Sequence, residues 1–92
     1  MTEDFFEELT RIIKKRKKEM PNNSYVAKLY KKGKVKIANK LGEEAVETIS
    51  AYLYEGKKEI LEESADLLFH LMVLLEDSNL SIKEVEKALK KR

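Results

Sequence analysis

The sequence predicts an all-α protein, and three observations carry that prediction. Breakers are scarce, with one proline (Pro21) and three glycines (Gly33, Gly42, Gly56) in 92 residues. Apolar residues recur at helical intervals of three and four rather than alternately. Residues suited to helix caps stand where the periodic segments begin and end. About four to five helices are expected in a single domain over 1–92, because this length suits one compact unit. A chain this short buries a small share of its surface, so completion of the bundle by homodimerisation is expected.

The first helix is expected from Thr2, an N-cap followed by Glu3 and Asp4, whose charges suit the positive end of the helix dipole. Phe5, Phe6, Leu9, Ile12 and Ile13 form its apolar stripe, and Lys14 to Lys18 close it before Pro21-Asn22-Asn23. Ser24 caps a short second helix that ends at Gly33. A long third helix then runs from about Lys34 to Glu55. Gly42 inside it marks either a close approach or a tolerated cost of about 1 kcal/mol. Gly56 is the turn into a fourth helix, from about Lys57 to Glu76, broken by Asp77-Ser78-Asn79. Ser81-Ile82-Lys83-Glu84 is a capping-box pattern that opens a last helix, with Ile82, Val85 and Leu89 directed inward.

Composition narrows the chemistry. The absence of cysteine excludes disulfides and thiolate metal sites, and the single histidine, His70, cannot build a histidine-rich zinc site. Any metal must be held by oxygen. With 19 basic and 17 acidic side chains the formal net charge is only +2, so global charge does not call for nucleic acid. The strongest apolar run, Leu67 to Leu75, is far shorter than the ~20 residues that span a bilayer, and no basic-then-apolar leader is seen. A cytoplasmic protein without a membrane partner is the expectation.

Two acidic pairs carry the functional reading. Glu44 with Glu47, and Glu63 with Asp66, are each three residues apart, so each pair faces one side of its helix. Glu47 lies nine residues before Gly56 and Glu63 seven after; Glu44 lies twelve before and Asp66 ten after. At ~1.5 Å rise per residue, the partners in an antiparallel hairpin differ in height by only about 3 Å. Four carboxylates can then meet at one level, where their repulsion is relieved by a hard divalent cation, Mg²⁺ or Mn²⁺. A solvated acidic face is the alternative. Asp66 argues against it, because Leu67 to Leu75 cover every side of the helix and an aspartate leading into such a segment is expected to be partly buried. His70, one turn beyond Asp66, is read as a core residue able to assist by a hydrogen bond, outside the ligand set.

Lysines precede the acidic motif. Lys28, Lys31, Lys32, Lys34, Lys36 and Lys40 crowd the second helix and the start of the third, where they can neutralise phosphates beside a metal or remain solvated. Lys40, one turn before Glu43 and Glu44, is the one singled out for phosphate.

These residues resemble a known family. Glu44-x-x-Glu47 followed after a hairpin by Glu63-x-x-Asp66 is similar to the signature of the all-α, MazG-like nucleoside triphosphate pyrophosphatases. Ser24-Tyr25, Lys32-Gly33, Lys40 to Glu47 and Ala65 to Leu71 resemble phosphoribosyl-ATP pyrophosphohydrolase in particular. The likeness covers nearly the whole chain. It departs from that pattern at Val26, where threonine is common, at Ser64, where alanine is usual, and at Phe69, where tyrosine is frequent.

The resemblance implies a MazG-like bundle with Glu44, Glu47, Glu63 and Asp66 around Mg²⁺, and cleavage of phosphoribosyl-ATP to phosphoribosyl-AMP and pyrophosphate in histidine synthesis. It implies Glu43 or Glu47 as the proton acceptor, and substrate contacts from Lys40, Lys32, Lys36, Lys28, Ser24 and Tyr25. Two other readings remain: a broader nucleoside triphosphate pyrophosphatase with the same acids, and a non-catalytic helical dimerisation module.

Overall fold

A computed structural model describes residues 4–92, which form five helices in the order expected: α1 (Phe5–Glu19), α2 (Tyr25–Lys32), α3 (Lys34–Tyr54), α4 (Lys57–Asp77) and α5 (Ile82–Lys90). Thr2, the expected first cap, lies outside the described residues. Asp4 caps α1 instead: its carboxylate accepts from the Glu7 backbone N–H at 2.9 Å, and Glu7 accepts from Asp4 N–H at 3.2 Å. At the other end Met20 adopts the left-handed conformation and donates to the Arg16 carbonyl at 2.9 Å, with Arg16, Lys17 and Lys18 in the last turn.

Ser24 caps α2 by accepting from Ala27 N–H at 3.1 Å. Gly33 separates α2 from α3 with φ at +95°, a conformation that an L-side chain rarely adopts. A Cβ added there would meet nothing within 4 Å, so backbone conformation rather than space requires the glycine. Gly42 likewise has nothing within 4 Å, so no neighbouring helix of the same protomer approaches it closely. Glu55 and Gly56 turn the chain so that α3 and α4 form an antiparallel hairpin, the principal packing of the fold.

The core is formed by Ile13, Val26, Leu29, Ile37, Met72 and Val73, with Leu9, Tyr30, Leu68, Phe69, Leu74 and Ile82 against it. Fully burying side chains such as Ile13, Met72 or Val73 contributes about 1.5–3 kcal/mol each, and truncating Ile13 to alanine costs about 2–5 kcal/mol. Lys14 Nζ reaches the buried Glu76 carboxylate at 3.5 Å, and Lys17 Nζ donates to the Glu76 carbonyl at 2.9 Å, tying α1 to α4. The Tyr30 hydroxyl donates to the Val73 carbonyl at 2.7 Å, tying α2 to α4.

Three expectations about burial need correction. Phe5, Phe6 and Ile12 of the α1 stripe are exposed, because α1 turns only Ile13 and part of Leu9 onto the core. Leu89, expected inward, is exposed, since α5 reaches the core through Ile82. In α4 only His70, Met72, Val73, Leu75 and Glu76 are buried, while Leu67, Leu68, Phe69, Leu71 and Leu74 are half-buried. Among the described residues no helix is long and apolar enough to cross a membrane.

Candidate active site

The hairpin brings carboxylates from both of its helices together. Glu44 of α3 and Glu63 and Asp66 of α4 each offer a carboxylate oxygen, and these atoms lie within 4.8 Å of one another. Helical rise accounts for this, since Glu44 and Asp66 stand at nearly matched heights from the Gly56 turn. Glu44 is only 6% exposed, and Oε1 of Glu44 and Oε1 of Glu63 are buried without a hydrogen-bond partner. A buried, unpaired carboxylate oxygen is costly, and two facing each other require an explanation. Burial, then the neighbouring Glu47 carboxyl, then Asp66 and Glu44, push the Glu63 carboxyl above its ordinary range. All-oxygen donors of net negative charge fit a hard divalent cation.

Glu47, the fourth acid of the motif, is exposed and lies outside this group of three, but its carboxyl is among the neighbours that push Glu63 up. Asp66 is not partly buried as expected: it is exposed, and the concealed acid is Glu44. The apolar segment of α4 begins at Leu67, but its neighbours close over that helix only from His70 onward, one turn past Asp66.

Thr48 is a residue that the sequence reading missed. Its hydroxyl lies 2.8 Å from the Glu44 carbonyl and 3.1 Å from the Glu63 carbonyl, bridging the two helices at the level of the acids. The available signal was its place one turn after Glu44 on the face that carries the acid. His70 lies one turn beyond Asp66, as expected, with Nδ1 at 2.7 Å from the Asp66 carbonyl.

Lys40 stands between the acids and a basic groove. Its ammonium is 3.4 Å from Glu43 Oε1 and 3.6 Å from Glu44 Oε2, so one Glu44 oxygen is paired and the other is not. The Tyr25 phenol is the largest influence raising the Lys40 ammonium above its ordinary value, with Glu43 and Glu44 adding to it against the effect of burial. The Tyr25 phenol is itself raised by burial, with Lys40 opposing. Tyr25, Lys28, Leu29, Lys32, Lys36 and Lys40 line a hollow of about 220 Å³. Five of the six residues expected to contact substrate therefore share one groove. Ser24, the sixth, is buried and engaged in capping α2. A roomier hollow of about 560 Å³ runs along α1 past Arg11, Lys15, Arg16 and Glu19, but it is the smaller one that Lys40, 3.6 Å from Glu44, joins to the acids.

Comparison with known proteins identifies the family. The family model described as phosphoribosyl-ATP pyrophosphohydrolase matches residues 6–92. A phosphoribosyl-ATP pyrophosphatase of Metallosphaera sedula is 49% identical over 89 residues, covering 97% of this chain and 96% of that protein. One from Pyrobaculum aerophilum is 47% identical over 92 residues, covering 100% of this chain and 98% of that protein. The histidine biosynthesis bifunctional protein HisIE of Thermotoga maritima is 48% identical over 88 residues, 96% of this chain but 45% of that protein. The chain thus spans less than half the length of that bifunctional relative and nearly all of the two shorter ones.

Proposed function

This chain belongs to the phosphoribosyl-ATP pyrophosphohydrolase family, and from that premise we propose that it hydrolyses 1-(5-phosphoribosyl)-ATP to 1-(5-phosphoribosyl)-AMP and pyrophosphate in histidine synthesis. The observation that carries the proposal is the pair of buried, unpartnered oxygens on Glu44 and Glu63, set beside a lysine-lined groove. Glu44, Glu63 and Asp66, with Glu47 adjoining, are the residues to hold Mg²⁺, or Mn²⁺ in its place. When bound, such a cation neutralises phosphate oxygens and acidifies water.

The chain's own groups supply the remainder. A water molecule attacks the anhydride between the α- and β-phosphates, its proton passes to a carboxylate, and pyrophosphate leaves. Glu43 and Glu47 are the candidates for accepting that proton, since both are exposed and neither belongs to the group of three converging acids. Lys40 first, then Lys28, Lys32 and Lys36, offset the charge of the departing pyrophosphate. Tyr25 forms the wall of the same groove.

The test is incubation with phosphoribosyl-ATP and Mg²⁺ while pyrophosphate is measured. Release of pyrophosphate is expected; turnover of simple nucleoside triphosphates but not of phosphoribosyl-ATP would replace this reading with a broader pyrophosphatase.

The functional unit of this proposal is a single-domain protomer paired with a second copy. Val46, Ile49 and Leu53 lie exposed along one side of α3, and Leu61 and Phe5 are exposed on α4 and α1. Covering such an apolar face across a two-fold axis is the simplest arrangement. Light scattering is expected to report a dimer, and a well-folded monomer at micromolar concentration would remove this part.

A further inference from the structure

His70 is 5% exposed, and both of its ring nitrogens are engaged. Nδ1 lies 2.7 Å from the Asp66 carbonyl, which can only accept, so Nδ1 carries a proton. In the neutral ring Nε2 is then an acceptor, and the Tyr25 hydroxyl, 2.8 Å away, donates to it. Three aromatic rings complete the assembly. His70 meets Tyr25 edge-on at 5.7 Å and 84°, and Phe69 at 5.2 Å and 90°, while Tyr25 and Phe69 stack at 6.3 Å and 28°.

Packing alone does not require an imidazole at this position. The neighbouring buried positions of α4 are Met72 and Val73, and a leucine or phenylalanine could fill the same space without burying polar atoms. What histidine adds is an acceptor aimed at Tyr25, which comes from a helix 45 residues away and is 47% exposed at the wall of the lysine groove. Without that acceptor the phenol is free to turn its hydroxyl to water. With it, the hydroxyl proton is committed to the histidine, and the oxygen faces the groove as an acceptor for a lysine ammonium or for a hydroxyl or amine of the substrate, fixing the wall beside which the lysines hold phosphate.

We propose that His70 is a positioning residue for substrate binding: through Nε2 it holds the Tyr25 hydroxyl at the groove wall, from the same helix that carries Glu63 and Asp66. The metal-facing helix and the phosphate-facing groove are thereby kept in register by one side chain. This inference rests on the reading of the groove as the substrate site.

The test uses the full chain and has two arms. Because His70 is the only histidine, its ring nitrogens give unambiguous ¹⁵N resonances. At mildly alkaline pH the proton is expected on Nδ1, and Tyr25→Phe is expected to shift the Nε2 resonance, whereas Tyr52→Phe, at an exposed position, is not. A proton on Nε2, or no response to Tyr25→Phe, overturns the proposal. In the second arm His70→Leu and Tyr25→Phe are each expected to raise KM for phosphoribosyl-ATP about tenfold with little change in kcat. The double variant should be no worse than either, since both remove one interaction. His70→Gln, whose amide reaches the Nε2 position, should recover most of the loss. Additive single effects overturn the proposal, and so does an unchanged KM in Tyr25→Phe, which needs no folded His70→Leu. Calorimetric titration of pyrophosphate accompanies the kinetics. Wild-type chain that binds pyrophosphate without turning over phosphoribosyl-ATP sinks the substrate reading alone, and the variants are then judged on pyrophosphate affinity; wild type that binds neither overturns both.

Discussion

Two glutamates are buried in this bundle, one near the end of α4 and one midway along α3, and they are treated differently. Glu76, near the end of α4, is 4% exposed; burial raises its carboxyl, Lys14 at 3.5 Å counters that, and its carbonyl receives Lys17. Neither of its carboxylate oxygens is buried without a partner among the described residues. Glu44, at 6%, has Lys40 on one oxygen and nothing on the other, and faces a second incomplete carboxylate, Glu63. A buried charge that is compensated within the fold fastens helices together. One left half-compensated has capacity for something that arrives from outside.

The sharpest way to break this distinction is to neutralise each acid in turn. Glu44→Gln, Glu63→Gln, Asp66→Asn and Glu47→Gln are each expected to lower kcat/KM by about a hundredfold or more while the chain melts no earlier, because each removes charge from a crowded site and keeps side-chain size. Glu76→Gln should leave activity near wild type. Wild-type turnover in all four site variants would reduce the acids to a solvated face.

A divalent ion sharpens the comparison from the other side. At about a hundredfold excess over its dissociation constant, Mg²⁺ or Mn²⁺ is expected to stabilise the wild type by about 2.7 kcal/mol. Glu76→Gln should gain as much, and Glu44→Gln far less. Equal gains in all three would place the ion elsewhere.

Lys40 tests whether the half-compensation is deliberate. Lys40→Met is expected to cost about 1.5–3 kcal/mol in substrate binding or kcat/KM, with ion affinity unchanged or higher, since the ammonium now 3.6 Å from Glu44 repels a cation. Lys90→Met, which disturbs only an exposed pair with Glu86, is the control and should change little. Identical kinetics in the two variants would move phosphate recognition to Lys28, Lys32 and Lys36.

The smallest effect is in pH dependence. Glu63 and Glu76 both have folded values raised above the ordinary 4.5, so over the window above 4.5 these two carboxyls bind more protons in the folded state than in the unfolded one. Their contribution to the stability of the ion-free chain should therefore grow as pH falls from neutrality toward 4.5 and be lost again as pH rises. Below that window Glu7 and Glu84, whose values are lowered by Lys83 and by Ser81 respectively, act in the opposite sense. Melting curves with the divalent ion are expected to lose the Glu63 share of the slope and keep the Glu76 share. A slope indifferent to the ion would show that Glu63 is not where the ion sits.

What could be read in advance divides along physical lines. Ser24, Gly33, Gly56 and Ser81 act on the backbone within a turn of themselves, and the limits of α2 to α5 follow them closely. The convergence of Glu44, Glu63 and Asp66 follows from helical rise on either side of one turn, which needs no knowledge of packing. Burial was less legible, because it depends on what other segments cover. Asp66 emerged exposed and Glu44 concealed, Leu89 turned outward, and Thr48 acquired its role only when Glu63 of another helix came opposite. Ser24 shows the same limit in reverse: its local duty as a cap occupies the hydroxyl that the resemblance had offered to substrate.

Gly33 has a geometric consequence for the lysines on either side of it. Lys28, Lys32, Lys36 and Lys40 follow one another at intervals of four residues. On an unbroken helix they would form a ladder about 18 Å long, each rung slightly rotated from the last, suited to an elongated polyanion. Because the chain changes direction at Gly33, two rungs stay on α2, two pass to α3, and all four border the same hollow. The ladder becomes a cup, a shape that suits the proposed pyrophosphate product better than an elongated polyanion. Its curvature is set by a single φ angle of +95°, which makes the shape of the bound charge a property of one residue that carries no charge at all.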